Sequence, residues 1–345
     1  MQPHFTRSTR FSFLFLTCAL CVLAANLPGC LPNRFVIDLA GSDGRLREKR
    51  VMADPNAPAA APKIALIDVE GLISHAPSGG LFAGSGNSVD EIVSRLEKAE
   101  EDSAVRAVIL RVNSPGGTVA ASETLYNELH SFRERSKKPI VVSMAEMAAS
   151  GGYYISLAAD RVIAQPSSIT GSIGVIIQTM NFSKGMAMIG IESRVVKSGP
   201  NKDIANPFEP IREDQYAVLQ GTVNDFYESF RSLVRERRPG IDPSRFDTLT
   251  DGRIFTGRQA LEAGLVDSVG DLREAFEEAK RLGMIERAQI VKYHTAGRTP
   301  ASPYALASTP AAPPQSGGDI SLRLQLPHAM SLPPGFYYLW SPEAP

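Results

Sequence analysis

Short apolar segments rich in β-branched residues alternate with amphipathic segments along the middle of this chain. Three of them, residues 63–69, 105–112 and 139–144, have the length and composition of buried strands. Residues 118–135 and 213–237 have apolar residues at helical spacing. Strands that alternate with helices favour parallel pairing, because parallel neighbours need a crossover connection. The sequence therefore predicts an α/β fold.

Further short strands are predicted at 161–164 and 174–178 and around Val195, and further helices from Ser88 and over 257–264 and 270–282. No repeat and no internal linker interrupts residues 63–296, which we interpret as a single domain with extended tails. Residues 31–62 are polar and then Ala/Pro-rich, which is typical of a tether. Residues 297–345 form a Pro/Ala-rich, low-complexity tail with an aromatic patch at 336–340, either disordered or docked on a neighbouring subunit or partner.

Residues 1–30 have the pattern of an export signal. Arg7 and Arg10 precede an apolar run at 11–25, and these fifteen residues fall short of the roughly 20 that a membrane span needs. Leu27 and Cys30 resemble a bacterial lipobox, from which the intervening Pro28 departs. A lipoprotein, a signal anchor and a secreted protein all remain open. Each of them places the domain in the cell envelope or beyond, outside the cytoplasm.

Composition and motifs exclude several classes of function. Thirty-six basic and 37 acidic residues give a net charge of −1, so no positive field favours nucleic acid as a partner. The three cysteines all lie within the first thirty residues, which leaves the domain without a thiol nucleophile or a cysteine–zinc site. No histidine pair at ligand spacing and no nucleotide-binding glycine motif is present. We therefore expect neither a metal nor a cofactor.

Two glycine-bearing turns carry the residues best suited to chemistry. The sequence NSPGG at 113–117 follows a predicted buried strand, where α/β sheets place their ligands. In AASGGYY at 148–154, Ser150 stands at a predicted helix start. Ser150 could attack a carbonyl while the N–H of Gly151, with one from Gly116 or Gly117, faces the oxyanion. The alternatives are a tight turn without a ligand and an ordinary N-cap serine.

A serine nucleophile needs a proton acceptor, and no histidine lies between Ser131 and Tyr293. A lysine can serve if burial lowers its pKa from about 10.4 to about 7–8. Lys197 and Lys202 lie in a stretch that begins at a predicted strand end, and any one lysine is by default a solvated surface charge. Ser172, in ITGSIGV, could hold a lysine amine by a hydrogen bond or could be a turn residue.

Five motifs occur in the order and spacing of the bacterial signal peptide peptidase A family, which residues 63–294 resemble: NSPGG at 113–117, AASGGYY at 148–154, ADR at 159–161, ITGSIGV at 169–175 and KSGPNKD at 197–203. The resemblance implies a Clp/crotonase-like spiral of ββα units and a serine protease with a Ser/Lys dyad. It implies that Ser150 is the nucleophile, that Lys202 rather than Lys197 is the general base, and that Ser172 orients the lysine. It also assigns the oxyanion hole to Gly151 and to the turn of Gly116 and Gly117.

The resemblance further implies homo-oligomeric rings or domes, in which serine and lysine can come from adjacent subunits. The substrates it implies are residual signal peptides and other small apolar peptides, cleaved through an acyl-enzyme by a protease tethered to the membrane. Two other hypotheses stay open. The double-glycine turn could polarise a thioester in a crotonase-like acyl-thioester enzyme, although export argues against coenzyme A. The chain could also be an inactive scaffold that binds peptides.

Overall fold

The computed structural model describes residues 45–76, 88–295, 299–305 and 335–340. The predicted export signal and Cys30 lie outside these residues, as does most of the tail after residue 305. No helix in the described ranges is long and apolar enough to cross a membrane.

Among the residues that the structure describes, a nine-stranded, mostly parallel sheet forms the centre of the domain. Its main path runs β1-β10-β2-β3-β5-β6-β9, with β7 paired to the end of β5 and β8 paired to β7. The strands are β1 (Arg47–Ala53), β2 (Lys63–Glu70), β3 (Val105–Ser114), β5 (Ile140–Ala149), β6 (Arg161–Ala164), β7 (Ile169–Gly171), β8 (Ile254–Thr256), β9 (Ser268–Val269) and β10 (Gln289–His294). Only β1 with β10 and β7 with β8 are antiparallel among these pairs. The predicted α/β fold in one domain is confirmed.

Helices cover both faces of the sheet. They are α1 (Ser88–Glu101), α2 (Val119–Ser136), α3 (Gly151–Ser156), α4 (Ser183–Met188), α5 (Glu213–Arg237), α6 (Phe246–Leu249), α7 (Gly257–Glu262) and α8 (Leu272–Leu282). Along β3, Val108 and Leu110 belong to the core shared with α1, α2 and α5, whereas Ala107 and Ile109 belong to the core under α8. Burial on both faces explains why β3 is an almost continuous apolar run.

A second, two-stranded sheet lies beside the main one. It consists of β4 (Gly116–Thr118) and β11 (Tyr337–Leu339), which pair in antiparallel orientation. The unit β3-β4-α2 has the strand–strand–helix order expected from the resemblance. The aromatic patch at 336–340 therefore docks on its own chain, and not on a neighbouring subunit or partner as we expected in one alternative.

The structure differs from the sequence prediction at three further places. Residues 47–53, assigned above to the tether, form β1 at the edge of the sheet. A charged strand fits there because an edge exposes much of its surface to water. Residues 174–178 make only an isolated bridge, between Ile176 and Tyr337, and Val195 lies in irregular backbone. Both strand predictions were therefore wrong.

Candidate active site

Ser150 stands at the junction between β5 and α3 in a strained backbone conformation. Its φ of 51° and ψ of −112° lie outside the regions that side-chain-bearing residues normally adopt. Two hydrogen bonds hold it there: its N–H donates to the Gly171 carbonyl at 2.7 Å, and its own carbonyl accepts from the Tyr154 N–H at 2.8 Å. Such strain persists only where the surrounding structure enforces it, and it is concentrated at functional sites.

The hydroxyl of Ser150 is fully buried and has no hydrogen-bond partner among the described residues. Nor does it cap α3, which removes the N-cap interpretation considered above. A buried hydroxyl without a partner is unfavourable by about 1–3 kcal/mol. Strain and an unpaired hydroxyl at the same residue make Ser150 the candidate for a reactive group in this site.

The backbone of three glycines packs tightly around Ser150. A Cβ at Gly116, whose φ is 113°, would lie 2.8 Å from the Gly151 nitrogen, and one at Gly117 would lie 1.9 Å from the Ile73 carbonyl oxygen. A Cβ at Gly151 would lie 3.0 Å from the Gly117 nitrogen. The predicted oxyanion-hole residues are thus brought together, and only glycine permits this approach.

The other residues of NSPGG brace the turn. The Ser114 hydroxyl donates to the Gly71 carbonyl at 2.6 Å and accepts from the Gly116 N–H at 3.1 Å. The Asn113 side-chain carbonyl accepts from the Met147 N–H at 3.2 Å, which ties β3 to the segment leading to Ser150. Asn113 and Ser114 therefore fix the position of the glycines relative to Ser150. In the single chain, the Gly116 N–H is thus already bonded to the Ser114 hydroxyl.

A buried ion cluster fixes the carboxyl ends of β2 and β3 and part of the C-terminal tail. Lys292 Nζ lies 2.5 Å from Asp68 Oδ2, and Arg111 Nε lies 3.1 Å from Asp68 Oδ1. Burial lowers the pKa of Lys292, although the Asp68 carboxylate opposes the shift. Lys292 donates to the carbonyls of Pro303 and Ala305, at 3.2 and 2.7 Å. The predicted low-complexity tail is therefore anchored at residues 303–305.

Ser172 lies close to Ser150, as the sequence predicted. Strand β7 pairs with the end of β5, so that Gly171 lies beside Ala149 and accepts the Ser150 N–H. Ser172 follows directly, with a positive φ of 49° and its N–H donating to the Arg253 carbonyl at 2.7 Å. Ser172, which the resemblance assigned as the lysine-orienting serine, thus lies near Ser150 within one chain.

Lys202 is not brought to Ser150 in the single chain. It is exposed, in a turn where its N–H donates to the Gly199 carbonyl at 3.3 Å. The rival Lys197 forms an ion pair with Asp203 at 2.6 Å, and this amine lowers the pKa of Asp203. Neither amine contacts the Ser150 hydroxyl, which has no partner in the described ranges.

The region that holds Lys202 also exposes many apolar side chains. We call residues 176–218 the exposed apolar segment. Its exposed members are Ile176, Met180, Phe182, Met188, Ile189, Ile191, Val195, Val196, Phe208, Ile211 and Val218. Exposed apolar surface of large extent is uncommon on monomeric proteins, which makes this segment a candidate interaction surface.

Two features of the site escaped the sequence analysis. The Ser122 hydroxyl on α2 is buried without a partner in the described residues, and a Cβ at Gly151 would lie 2.5 Å from it. Strand β11 lies against β4 beside the glycine turn. The patch FYYLW was the available signal for β11, whereas no local pattern distinguishes Ser122. In the described ranges, no cluster of His, Cys, Asp or Glu has the arrangement of a metal site.

Known proteins resemble this chain over the same region. The profile of peptidase family S49 matches residues 133–286. A putative signal peptide peptidase SppA from Enterococcus faecium is 35% identical over 231 residues, which cover 67% of each chain. A putative protease from Synechocystis is 34% identical over 66% of this chain and 77% of its own length. Protease 4 from Haemophilus influenzae is 37% identical over 64% of this chain, but over only 35% of its own, longer sequence.

Proposed function

The chain belongs to peptidase family S49 and is a serine peptidase, and on this premise we propose that Ser150 and Lys202 form its catalytic dyad. The uncharged Lys202 amine takes the proton of the Ser150 hydroxyl, and the oxygen attacks a peptide carbonyl carbon. The protonated amine then gives its proton to the leaving nitrogen as the peptide bond breaks. Water, activated by the same lysine, hydrolyses the acyl-enzyme and restores Ser150.

The observation that carries this proposal is the state of the Ser150 hydroxyl. It is buried, unpaired in the described ranges, and held in a conformation that the backbone resists. The tightly packed backbone at Gly117 and Gly151 supports an oxyanion hole next to it. Donors fixed in place before the reaction stabilise the developing charge without reorganisation. An acyl-thioester enzyme would not need a strained serine, so the geometry favours acyl transfer to Ser150.

We infer that Lys202 reaches Ser150 from an adjacent copy of the chain. A lysine acts as a base only when desolvation disfavours its charged form, and Lys202 is exposed in the single chain. It lies within the exposed apolar segment, whose burial against a second copy would remove water from it. An interface there would therefore both assemble a homo-oligomeric ring or dome and complete the active sites.

We propose peptides as substrates, and signal peptides left in the membrane as their principal class. The name of the Enterococcus relative supports this class, and so does the export signal predicted for residues 1–30. That segment would tether the protease in the envelope, either as an uncleaved anchor or through a lipid on Cys30. A tether holds the active site near apolar peptides as they leave the bilayer.

Alanine variants of the dyad test the mechanism. We expect Ser150→Ala and Lys202→Ala each to lower kcat/KM for an apolar peptide by at least about 1,000-fold, with unchanged folding by circular dichroism. Lys98→Ala, at an exposed lysine on α1 that lies outside the exposed apolar segment, is the matched control and should keep full activity. Full activity of either dyad variant would reject the assignment. Lys197→Ala is measured alongside, and a loss of activity in this variant but not in Lys202→Ala would identify Lys197 as the general base.

Mixing the two inactive variants tests whether the dyad crosses a subunit boundary. When Ser150→Ala and Lys202→Ala subunits are unfolded, combined and refolded together, some sites receive an intact serine from one chain and an intact lysine from the other. We expect such mixtures to recover a measurable fraction of the wild-type rate, while each variant refolded alone stays inactive. Absence of recovery in assemblies shown to contain both variants would contradict the inter-subunit dyad.

A further inference from the structure

One face of the main sheet changes from apolar to ionic towards the carboxyl ends of its strands. Alternate residues of a strand lie on the same face. Along β2, Leu66 packs in the core under α8, and Asp68 and Glu70 follow it on that face. On β3, Arg111 is the register partner of Asp68, and Asn113 is that of Glu70. The last pair of this face, at the start of the NSPGG turn, is therefore a carboxylate beside an amide.

The two carboxylate oxygens of Glu70 accept from different donors. Arg111 Nη2 donates to Oε1 and Asn113 Nδ2 donates to Oε2, each at 3.3 Å. A carboxylate is an acceptor only, so Glu70 satisfies both donors at once. Glu70 thus connects the buried ion cluster of Asp68, Arg111 and Lys292 to the NSPGG turn.

The carboxylate of Glu70 decides how the Asn113 amide is oriented. The two ends of an amide side chain differ, because its nitrogen donates and its oxygen accepts. With Nδ2 held by the carboxylate, Oδ1 is turned to the Met147 N–H, which donates to it at 3.2 Å. The reverse orientation would place Oδ1 against a carboxylate and Nδ2 against an N–H. Glu70 therefore selects the one orientation in which Asn113 bonds to β5.

Met147 lies where the backbone that holds Ser150 begins. Two residues separate it from Ser150 along the chain, and it pairs with Ile169 at the start of β7. The same strand β7 ends at Gly171, whose carbonyl accepts the Ser150 N–H at 2.7 Å. A displacement of Met147 would therefore reach Ser150 both along β5 and through β7.

We propose that Glu70 is a positioning residue of the peptidase, which acts on Ser150 through Asn113 and Met147. Its carboxylate holds the amide that fixes the end of β5, and its bond to Arg111 keeps the carboxylate itself in place. The Glu70 side chain is only 20% exposed, so water screens these bonds little. This inference rests on the proposed function of Ser150.

An exchange of polar groups between positions 70 and 113 tests this role. Glu70→Gln leaves Arg111 or Asn113 without an acceptor, because glutamine has a single side-chain oxygen. Asn113→Asp places two carboxylates against each other. In the double variant, the glutamine oxygen can accept from Arg111 and its nitrogen can donate to the new carboxylate. The second oxygen of that carboxylate can accept from the Met147 N–H, so every donor again has an acceptor.

We expect each single substitution to lower two rates by at least about tenfold, the scale of one lost hydrogen bond to a charged group. These are kcat/KM for an apolar peptide and the rate at which a fluorophosphonate labels Ser150. The double variant should recover to within about threefold of the wild type. Glu100→Gln, at a glutamate paired with Arg135 near the amino end of β5, is the matched control and should change neither rate. Losses that multiply in the double variant, or unchanged rates in either single variant, would overturn the proposal.

Backbone hydrogen exchange at Met147 tests the geometry without any catalysis. We expect its amide to exchange at least about tenfold faster in each single variant and at the wild-type rate in the double variant. Amides in the paired body of β5, at residues 140–144, should exchange at unchanged rates, which separates a local release from a general loss of stability. Unchanged exchange at Met147 in both single variants would mean that Glu70 does not orient Asn113.

The labelling and exchange measurements separate this proposal from the proposed function. If Ser150 is unreactive in the wild type and in every variant, the catalytic assignment fails, while exchange at Met147 still decides whether Glu70 orients Asn113. If Ser150 reacts equally fast in the wild type and in both single variants, the catalytic assignment stands. Glu70 then contributes to the fold alone, and the proposal is overturned.

Discussion

Tyr153 shows how one residue near the site links burial to stability. It lies three positions after Ser150, is fully buried, and donates its hydroxyl to the Leu265 carbonyl at 2.9 Å. Burial raises the pKa of Tyr153 to about 12, because an ionised phenol loses its hydration there. The folded state therefore favours the protonated phenol. At a pH where tyrosine ionises in the unfolded chain but not in the folded one, ionisation stabilises the unfolded state and the free energy of unfolding falls.

The raised pKa of Tyr153 predicts a loss of stability in alkali. The contribution is complete below pH 10, where a tyrosine in the unfolded chain ionises, and it falls as pH rises from 10 to about 12. Between pH 8 and 11, Tyr153 alone should lower the free energy of unfolding by about 1.4 kcal/mol. Tyr153→Phe should flatten the pH dependence by this amount in urea denaturation at the two pH values. Parallel pH profiles for the variant and the wild type would contradict this.

Helix α5 shows how one element divides between two environments. Its later turns insert Phe230 and Val234 into the main core, whereas its earlier part carries Val218 in the exposed apolar segment. The ring of Phe230 lies 5.0 Å from that of Tyr154, which connects the helix to α3 behind Ser150. The C-terminal half of α5 therefore packs behind the site, and its N-terminal half carries part of the surface proposed above as an interface.

Substitutions along α5 should reveal this division. Phe230→Ala should lower the free energy of unfolding by about 3–5 kcal/mol, because it removes a buried ring and leaves a cavity. Val218→Ala should change the unfolding free energy of the single chain by less than about 0.5 kcal/mol, because its side chain is half exposed. Urea denaturation of both variants at low protein concentration measures the difference. Comparable losses would mean that the exposed half is packed in the folded monomer.

At the level of elements, the sequence predicted the strands and helices whose burial produces a regular pattern of apolar residues. Strand β3 is apolar because helices cover both its faces, and α5 begins and ends at the predicted residues 213 and 237. This apolar pattern is absent from strands at the edge of a sheet. Strand β1 is charged, and β11 is only three residues long and lies in a tail interpreted as low-complexity, so neither was predicted as a strand. The segment around Val195 is apolar without being in a sheet, so its composition predicted a strand wrongly.

For the whole molecule, the exposed apolar segment predicts assembly. Ile189→Asp and Val196→Asp place a charge on the surface proposed to meet a second copy, where burial of an unpaired charge is unfavourable. We expect each to weaken self-association at least tenfold in sedimentation velocity and to lower peptide cleavage in parallel. Met284→Asp, at an equally exposed methionine elsewhere on the domain, should change neither property. Unchanged assembly of both segment variants would place the interface elsewhere.

Local sequence motifs predicted one part of the site, and they did not predict the position of its lysine. The order of NSPGG, AASGGYY and ITGSIGV identified Ser150, the glycines and Ser172, which the fold brings together because adjacent parallel strands end at one edge of the sheet. Lys202 was identified by resemblance alone. Its place relative to Ser150 depends on a surface that a single chain leaves exposed.

By itself, the sequence determined the α/β class, the serine and the glycine turn, because each leaves a contiguous pattern of a few residues. Only the tertiary structure decided that residues 337–339 pair with residues 116–118, over 200 positions earlier in the chain. Backbone hydrogen bonds of this kind are available to almost any residue. The pairing of these two segments is therefore selected by the unpaired edge that the fold leaves at β4 and by the burial of Tyr338, and not by a pattern along the chain.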